Sequence, residues 1–177
     1  YLFFPLLENN FPPKTGQIDS NQIDITGFNI DITPLAGTTP GTDTVLAGNA
    51  QAHFRTAWSG SIMSGGGQLT AIVEAFPVAL ANQLLTSGGV SGDPTATLDL
   101  RVQAIGTTVG GTDVQSDPFD FPVEICVGCL VSNLQPCPYS AAPTNTGNVC
   151  NVAQDDPVDC CLDSAGGLVC PPTVASK

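Results

Sequence analysis

The chain has 177 residues, with sixteen acidic side chains, four Lys and Arg, and a formal net charge of −12. So few cations argue against nucleic acid as a partner, because a phosphate backbone needs many of them for neutralisation. Apolar residues make up 42% of the chain and charged residues only 11%, which rules out a disordered acidic tail. Nineteen Gly, fifteen Pro and few strong helix formers indicate strands and turns.

The chain divides into two parts of different composition. Residues 1–125 contain no Cys and repeat a strand-like alternation, whereas residues 126–177 hold all seven Cys. Clustered cysteines are typical of exported chains, and the absence of an initiator Met at Tyr1 suggests that a secretory signal was removed. No stretch approaches the roughly 20 apolar residues that cross a bilayer. We therefore expect an exported protein with no transmembrane span, built from a β-domain (1–125) and a Cys-rich tail (126–177).

The first elements of the β-domain are strands, followed by one helix. Apolar and polar residues alternate over 23–25 and again, with opposite parity, over 28–32. A β-bulge at Gly27 explains the change, because one extra residue exchanges the two faces of a strand. Pro77, the apolar run 78–85 and a following Gly pair predict a short helix. Two further sets of inward-facing residues are Ala50, Ala52, Phe54, Thr56 and Trp58, and Leu69, Ala71, Val73 and Ala75.

A β-hairpin is predicted over residues 96–125. A single register places six alternating apolar residues on one face, pairing Leu98 with Val123, Leu100 with Phe121 and Val102 with Phe119. The same register sets Arg101 opposite Asp120, which is a favourable cross-strand pair.

The connection of this hairpin is centred on a Gly-Gly pair. A four-residue loop, 109–112, is favoured over a two-residue loop because it turns the nitrogens of Pro118 and Pro122 away from the partner strand. The strand over 119–125 then lacks two donors on its far side. We expect it to form a sheet edge or to be covered by the tail.

Short strands with turn signals at regular intervals predict an all-β fold, an antiparallel β-sandwich. An immunoglobulin-like arrangement is the preferred form and a small barrel is the second choice. The tail shows almost no alternation, so we expect it to be irregular and held by disulfides.

The tail cysteines are best explained as structural cross-links. An odd number allows at most three bridges and leaves their pairing open. Adjacent Cys160 and Cys161 should bond to different partners, because a bridge between neighbours is strained. The Cys126-x2-Cys129 pair is also compatible with half a zinc site or a redox motif, but neither a second ligand pair nor a βαβ context accompanies it. The seven candidates, six of them bonded, are Cys126, Cys129, Cys137, Cys150, Cys160, Cys161 and Cys170.

The sequence offers few residues for other chemistry. His53 alternates with polar neighbours and is interpreted as a solvated strand residue. The acidic groups Asp155, Asp156 and Asp159 are candidate Ca²⁺ ligands, because Ca²⁺ prefers oxygen, and so is the pair Asp113 and Asp117. No other cofactor is expected, and no residue pattern indicates an enzyme.

Several stretches of the C-terminal part resemble envelope proteins of myxobacteria and their relatives, many of which are predicted lipoproteins. The matching stretches are residues 111–114, 119–123, 126–130 and 154–160. The resemblance implies an exported location in the envelope, at the cell surface or outer membrane, and no activity. Such proteins often carry a lipid-bearing Cys at the mature N-terminus, where this chain has Tyr1.

Two functions follow as expectations. The first is a structural or accessory component of the bacterial cell envelope, such as a surface layer, filament or outer-membrane complex subunit, in which the apolar segment 1–7 adds as a strand to another envelope protein or a second copy. The alternative is a secreted binding module for a glycan, small ligand or partner protein, using the loops 59–67 and 88–95. If residues 1–7 pair within their own domain instead, they are not available as a donated strand.

Overall fold

The computed structural model describes residues 1–14, 16, 18–35, 40–86, 96–139, 142–149, 151 and 154–171. The chain forms two compact units, Tyr1–Cys126 and Val127–Lys177, and the sequence-based division after residue 125 lies one residue from this boundary. Among the described residues, neither helix is long and apolar enough to cross a membrane.

The first unit contains nine strands and two helices among its described residues. In chain order they are β1 (Leu2–Phe3), β2 (Leu6–Asn9), β3 (Ile23–Pro34), α1 (Pro40–Leu46), β4 (His53–Ile62), β5 (Gly67–Thr70), β6 (Val73–Glu74), α2 (Val78–Thr86), β7 (Ala96–Thr108), β8 (Asp113–Gln115) and β9 (Phe119–Ile125). The second unit contains β10 (Val131–Pro136), β11 (Val158–Leu162) and β12 (Leu168–Val169).

A five-stranded antiparallel sheet dominates the first unit. Its order is β4-β3-β7-β8. Strand β9 also pairs with β7, along residues 96–102, whereas β8 pairs with residues 105–107 of β7. The remaining strands form two antiparallel pairs, β1 with β6 and β2 with β5. The predicted all-β, mainly antiparallel class is therefore confirmed, while the immunoglobulin-like arrangement stays a prediction.

The long strand β3 carries the predicted bulge. Its register shifts between Ile25 and Gly27 against both neighbours, so that Ile25 and Phe28 both face the core although they are three residues apart. A Cβ atom at Gly27 would lie 2.4 Å from the carbonyl oxygen of Thr56, so the close approach of β4 requires glycine here.

The predicted register between β7 and β9 is confirmed, and the predicted loop is wrong by one residue. Leu98, Leu100 and Val102 lie opposite Val123, Phe121 and Phe119. The extra strand β8 pairs Thr107 with Asp113, so the turn closes between Thr108 and Thr112 around three residues instead of four. An additional residue between β8 and β9, near Ser116, absorbs the difference.

The core of the first unit lies on one face of the five-stranded sheet. Helix α2 confirms the predicted helix over 78–85 and buries Leu80 and Leu84. Helix α1, which the sequence analysis did not predict, buries Leu46. The other main contributors are Phe28, Ile30, Ile32, Ala71, Val73, Ala75, Leu98, Leu100 and Val102.

The second unit contains a small sheet, so the expectation of an irregular tail is wrong. β10 and β11 are parallel, and β12 is antiparallel to β11. Consecutive residues of a strand point to opposite faces, and Cys160 and Cys161 are both fully buried and bonded on those two faces. A strand covered on both faces shows no alternation, which explains why the sequence pattern did not reveal it.

Candidate functional site

An apolar groove of about 690 Å³ lies in the first unit, between the N-terminal segment and the β8–β9 side of the sheet. Residues 3–11 form one wall, and residues 114–117 with Phe119 form the other. The floor is the inner face of β3 and β7, with Ile62 at one side. We call this site the groove. Its volume falls in the range of small-molecule sites.

The floor of the groove is open because the inward side chains of β7 become smaller along the strand. Val102, Ala104 and Gly106 line it in succession. Gly106 has no space for a side chain, since a Cβ atom there would lie 2.5 Å from the carbonyl oxygen of Asp24. Gly106 pairs with Ile25 at the β3 bulge, so the same irregularity that reorients β3 also leaves the floor bare.

The N-terminal wall is held in place by strand pairing and ring stacking. β1 and β2 pair with β6 and β5, and the Phe3 ring stacks on Phe119 and Phe121 of β9 at centroid distances of 5.6 and 4.6 Å. Apolar side chains also remain at the surface beside the groove, since Leu6 is 62% exposed and Phe119 56% exposed. The groove is therefore lined and rimmed by hydrophobic and aromatic groups.

Two polar side chains that line the groove, the buried Asn9 and the exposed Ser116, are already bonded within the protein. Asn9, which is buried, donates from Nδ2 to the carbonyl oxygens of Asn21 and Ile62 and accepts from the Phe11 amide. The Ser116 hydroxyl accepts from the Ala104 amide and donates to the Asp117 carbonyl. A ligand in this part of the groove would consequently meet apolar surface.

The charged residues that line the groove are both acidic. They are Glu8 and Asp117, and no described residue of the lining is Lys, Arg or His. Both residues are solvent-exposed, which places them toward the mouth of the groove and away from its buried floor, and the Glu8 carboxylate also accepts a hydrogen bond from Gln68 of β5.

Three basic side chains lie instead on the outer face of the sheet. Nδ1 of His53 is 3.0 Å from Asp31 Oδ1, and Arg101 is bonded to Asp120. Arg55 donates to the Thr26 hydroxyl at the bulge. His53 is a half-exposed strand residue, as the sequence predicted.

The candidate calcium ligand Asp159 is engaged by hydrogen bonds within the second unit. Asp159 is 1% exposed, and its carboxylate accepts six hydrogen bonds from Ser132, Asn133, Thr144 and Asn145. Burial alone would raise the pKa of Asp159, but these donors hold it well below its usual range. Across the described part of the chain, no three acidic, His or Cys residues, including Asp113, Asp155 and Asp156, come together as a metal site.

The tail cysteines form disulfides, with Cys137 bonded to Cys161 and Cys160 bonded to Cys170. The expectation that Cys160 and Cys161 have different partners is confirmed. Cys126 and Cys129 are also disulfide-bonded, whereas Cys150 lies outside the described residues. Disulfides of this kind indicate an oxidising environment.

Of the two loops expected to form a binding site, the structure describes only the first. Residues 59–62 belong to β4 and residue 67 begins β5, so the segment 59–67 is mostly strand around a short turn. The other loop, 88–95, lies outside the described residues. The groove was missed because its walls come from distant segments; the aromatic residues Phe3, Phe4 and Phe11 were the available signal.

Comparison of this chain with protein-family models, with curated protein sequences and with solved structures gives no match.

Proposed function

We propose that this protein is an exported, non-enzymatic binding module whose groove takes one small, largely apolar molecule. The observation that supports this function is the groove itself, which combines a volume of about 690 Å³ with aromatic and aliphatic walls. Ligand pockets are typically concave, mostly apolar and largely preformed. Burying a hydrophobic ligand against Val102, Ala104 and Phe28 removes apolar surface from water, which favours binding.

The location belongs to the same proposal. An oxidising compartment agrees with export, and the resemblance of the tail to envelope proteins suggests the cell surface or outer membrane as its place. A small apolar molecule at that location would need a carrier or receptor, because it is poorly soluble in water.

The structural-component hypothesis receives less support. Its strand-donation form required residues 1–7 to be available to another chain, and residues of this segment pair with β5 and β6 and line the groove of their own domain. An accessory role in an envelope complex remains compatible with the binding function, with other envelope proteins as partners.

The experiment is a fluorescence titration of the unreduced protein with the neutral apolar probe 1-aminoanthracene. We expect saturable binding of one probe per chain. Ala104→Leu should weaken it at least about tenfold, because the larger side chain fills the floor of the groove. Val114→Trp changes a half-buried position on the edge strand β8 and should also weaken binding. This second variant tests the groove even if Ala104→Leu does not fold.

The matched control is Ala57→Leu, which adds the same atoms to an exposed position on β4 outside the groove. It should bind the probe as the unchanged protein does. Unsaturable binding, no binding, or binding by both groove variants that equals that of the unchanged protein would contradict the proposed function.

A further inference from the structure

We infer that the groove selects its ligand by charge and takes a neutral or cationic amphiphile in preference to an anionic one such as a free fatty acid. This inference rests on the proposed function and specifies the chemistry of the ligand. It follows from the distribution of charge in the first unit, which differs between the groove and the outer face of the sheet.

An amphiphile must place its apolar part and its polar end in different parts of the groove. The floor offers Ile25, Phe28, Val102 and Ala104, with bonded polar groups beside them, so it suits only the apolar part. The polar end therefore lies at the mouth, where it keeps contact with water. Glu8 and Asp117 are the charged groups that line this mouth.

An anionic head at this mouth would meet two carboxylates and no cation. Carboxylate and phosphate groups bind most strongly to Arg and Lys, and neither occurs among the described residues that line the groove. Arg101 faces the opposite side of the sheet, where it is engaged by Asp120, and Arg55 is bonded to Thr26. These side chains are therefore not placed to neutralise an anion in the groove.

A cationic head would instead be attracted by the two carboxylates. One charge contact in a water-like environment corresponds to roughly a fivefold change in affinity. Reversing the head charge replaces attraction by repulsion, so it should separate otherwise equal ligands by at least about tenfold at low salt. A neutral head should lie between the two, and added salt should reduce the separation because the mouth is exposed.

The test uses three ligands that share a ten-carbon chain, namely decylamine, decanol and decanoate, as competitors of 1-aminoanthracene at pH 7 and low salt. At this pH the amine is protonated and the carboxylic acid is ionised. We expect displacement in the order decylamine, decanol, decanoate, with decanoate at least about tenfold weaker than decylamine.

Two double variants test whether the charges at the mouth cause this order of binding. In Glu8→Gln/Asp117→Asn the three ligands should bind within about threefold of each other, since both charges are removed and hydrogen-bonding capacity is kept. The matched control is Asp99→Asn/Glu124→Gln, which removes two charges from β7 and β9 at positions outside the groove lining. It has the same net charge as the test variant and should keep the original order.

The outcomes separate this inference from the proposed function. If decanol fails to displace the probe, the proposed function is wrong and the inference falls with it. If decanol competes but decanoate binds as well as decylamine, the groove is a ligand site without the proposed charge selection. An order that persists in Glu8→Gln/Asp117→Asn, or is lost equally in the control, also overturns the inference.

Discussion

Arg101 and Asp120 form a two-point ion pair across β7 and β9, with Nε 2.7 Å from Oδ1 and Nη2 3.1 Å from Oδ2. The pair continues a row across the outer face, because Asp31 lies opposite Arg101 on one side and opposite His53 on the other. The hydrogen bond from Arg101 lowers the pKa of Asp120. Both side chains are about half exposed, so solvent screens their attraction.

Asp120→Asn should cause a small decrease in melting temperature that disappears at high salt, because salt screens an exposed pair. A lowered pKa in the folded state means that Asp120 contributes stability above its unfolded pKa near 4, and this contribution is lost as the pH falls through its folded pKa. Thermal melts at pH 7 and below pH 4, at two salt concentrations, test this. Glu124→Gln, on the same strand and without an ion pair to a described residue, is the control; equal effects of the two variants would contradict the account.

Gly27→Ala should destabilise the first unit by about 1–3 kcal/mol, because the added Cβ meets the backbone of β4 and forces the strands apart. Denaturant unfolding of the unreduced protein measures the change. Gly66→Ala serves as the comparison, since residue 66 has a positive φ but no neighbour within 4 Å, and its cost should be about 1 kcal/mol. A Gly27→Ala protein as stable as the parent would mean that the bulge does not require glycine.

Asp159→Asn should loosen the sheet of the second unit, because donors converge on both carboxylate oxygens and the amide NH2 that replaces one of these oxygens cannot accept a hydrogen bond. Since the folded-state pKa is depressed, this stabilisation is present above about pH 4 and is lost as the pH falls from there toward the folded pKa. Hydrogen exchange in β10 and β11, corrected for intrinsic rates at pH 7 and pH 3, measures it. Asp156→Asn, at an exposed position, should leave exchange unchanged, and a similar result for Asp159→Asn would be inconsistent with this role.

Reduction of the disulfides should unfold the second unit and spare the first. The core of the first unit contains no cysteine, whereas each disulfide of the second is worth roughly 2–4 kcal/mol. Exchange should therefore increase in β10 and β11 while β3 and β7 stay protected. Peptide mapping of the unreduced protein should recover Cys137–Cys161 and Cys160–Cys170. A different partner for any of these four cysteines, or loss of protection in β3, would show that the account is wrong.

Local patterns in the sequence were sufficient to predict much of the main sheet. The parity change between Ile25 and Phe28 located the bulge, and alternation on both strands fixed the pairing of Leu100 with Phe121. Helix α1 was missed because it is only seven residues long and contains two Thr and one Gly, which are weak helix formers. The sheet of the tail was missed because disulfides bury both faces of β11, which removes the alternation that identifies a strand.

The groove could not be predicted from any single segment. Its floor depends on how Gly106 meets the β3 bulge, and its walls depend on the N-terminal segment lying opposite β8. These are long-range relationships that hydrophobic periodicity does not contain. The cysteine pairing was likewise open, and the sequence contributed only the rule that neighbours Cys160 and Cys161 bond to different partners.

The most direct test of the central claim, that the groove binds a small apolar ligand, is an NMR titration of the ¹⁵N-labelled, unreduced protein with decanol. The account predicts saturable shifts of backbone amides in residues 3–11 and 102–119, with little change in β11 or at His53 on the outer face. Shifts that are absent, that do not saturate, or that cluster away from the groove would contradict it.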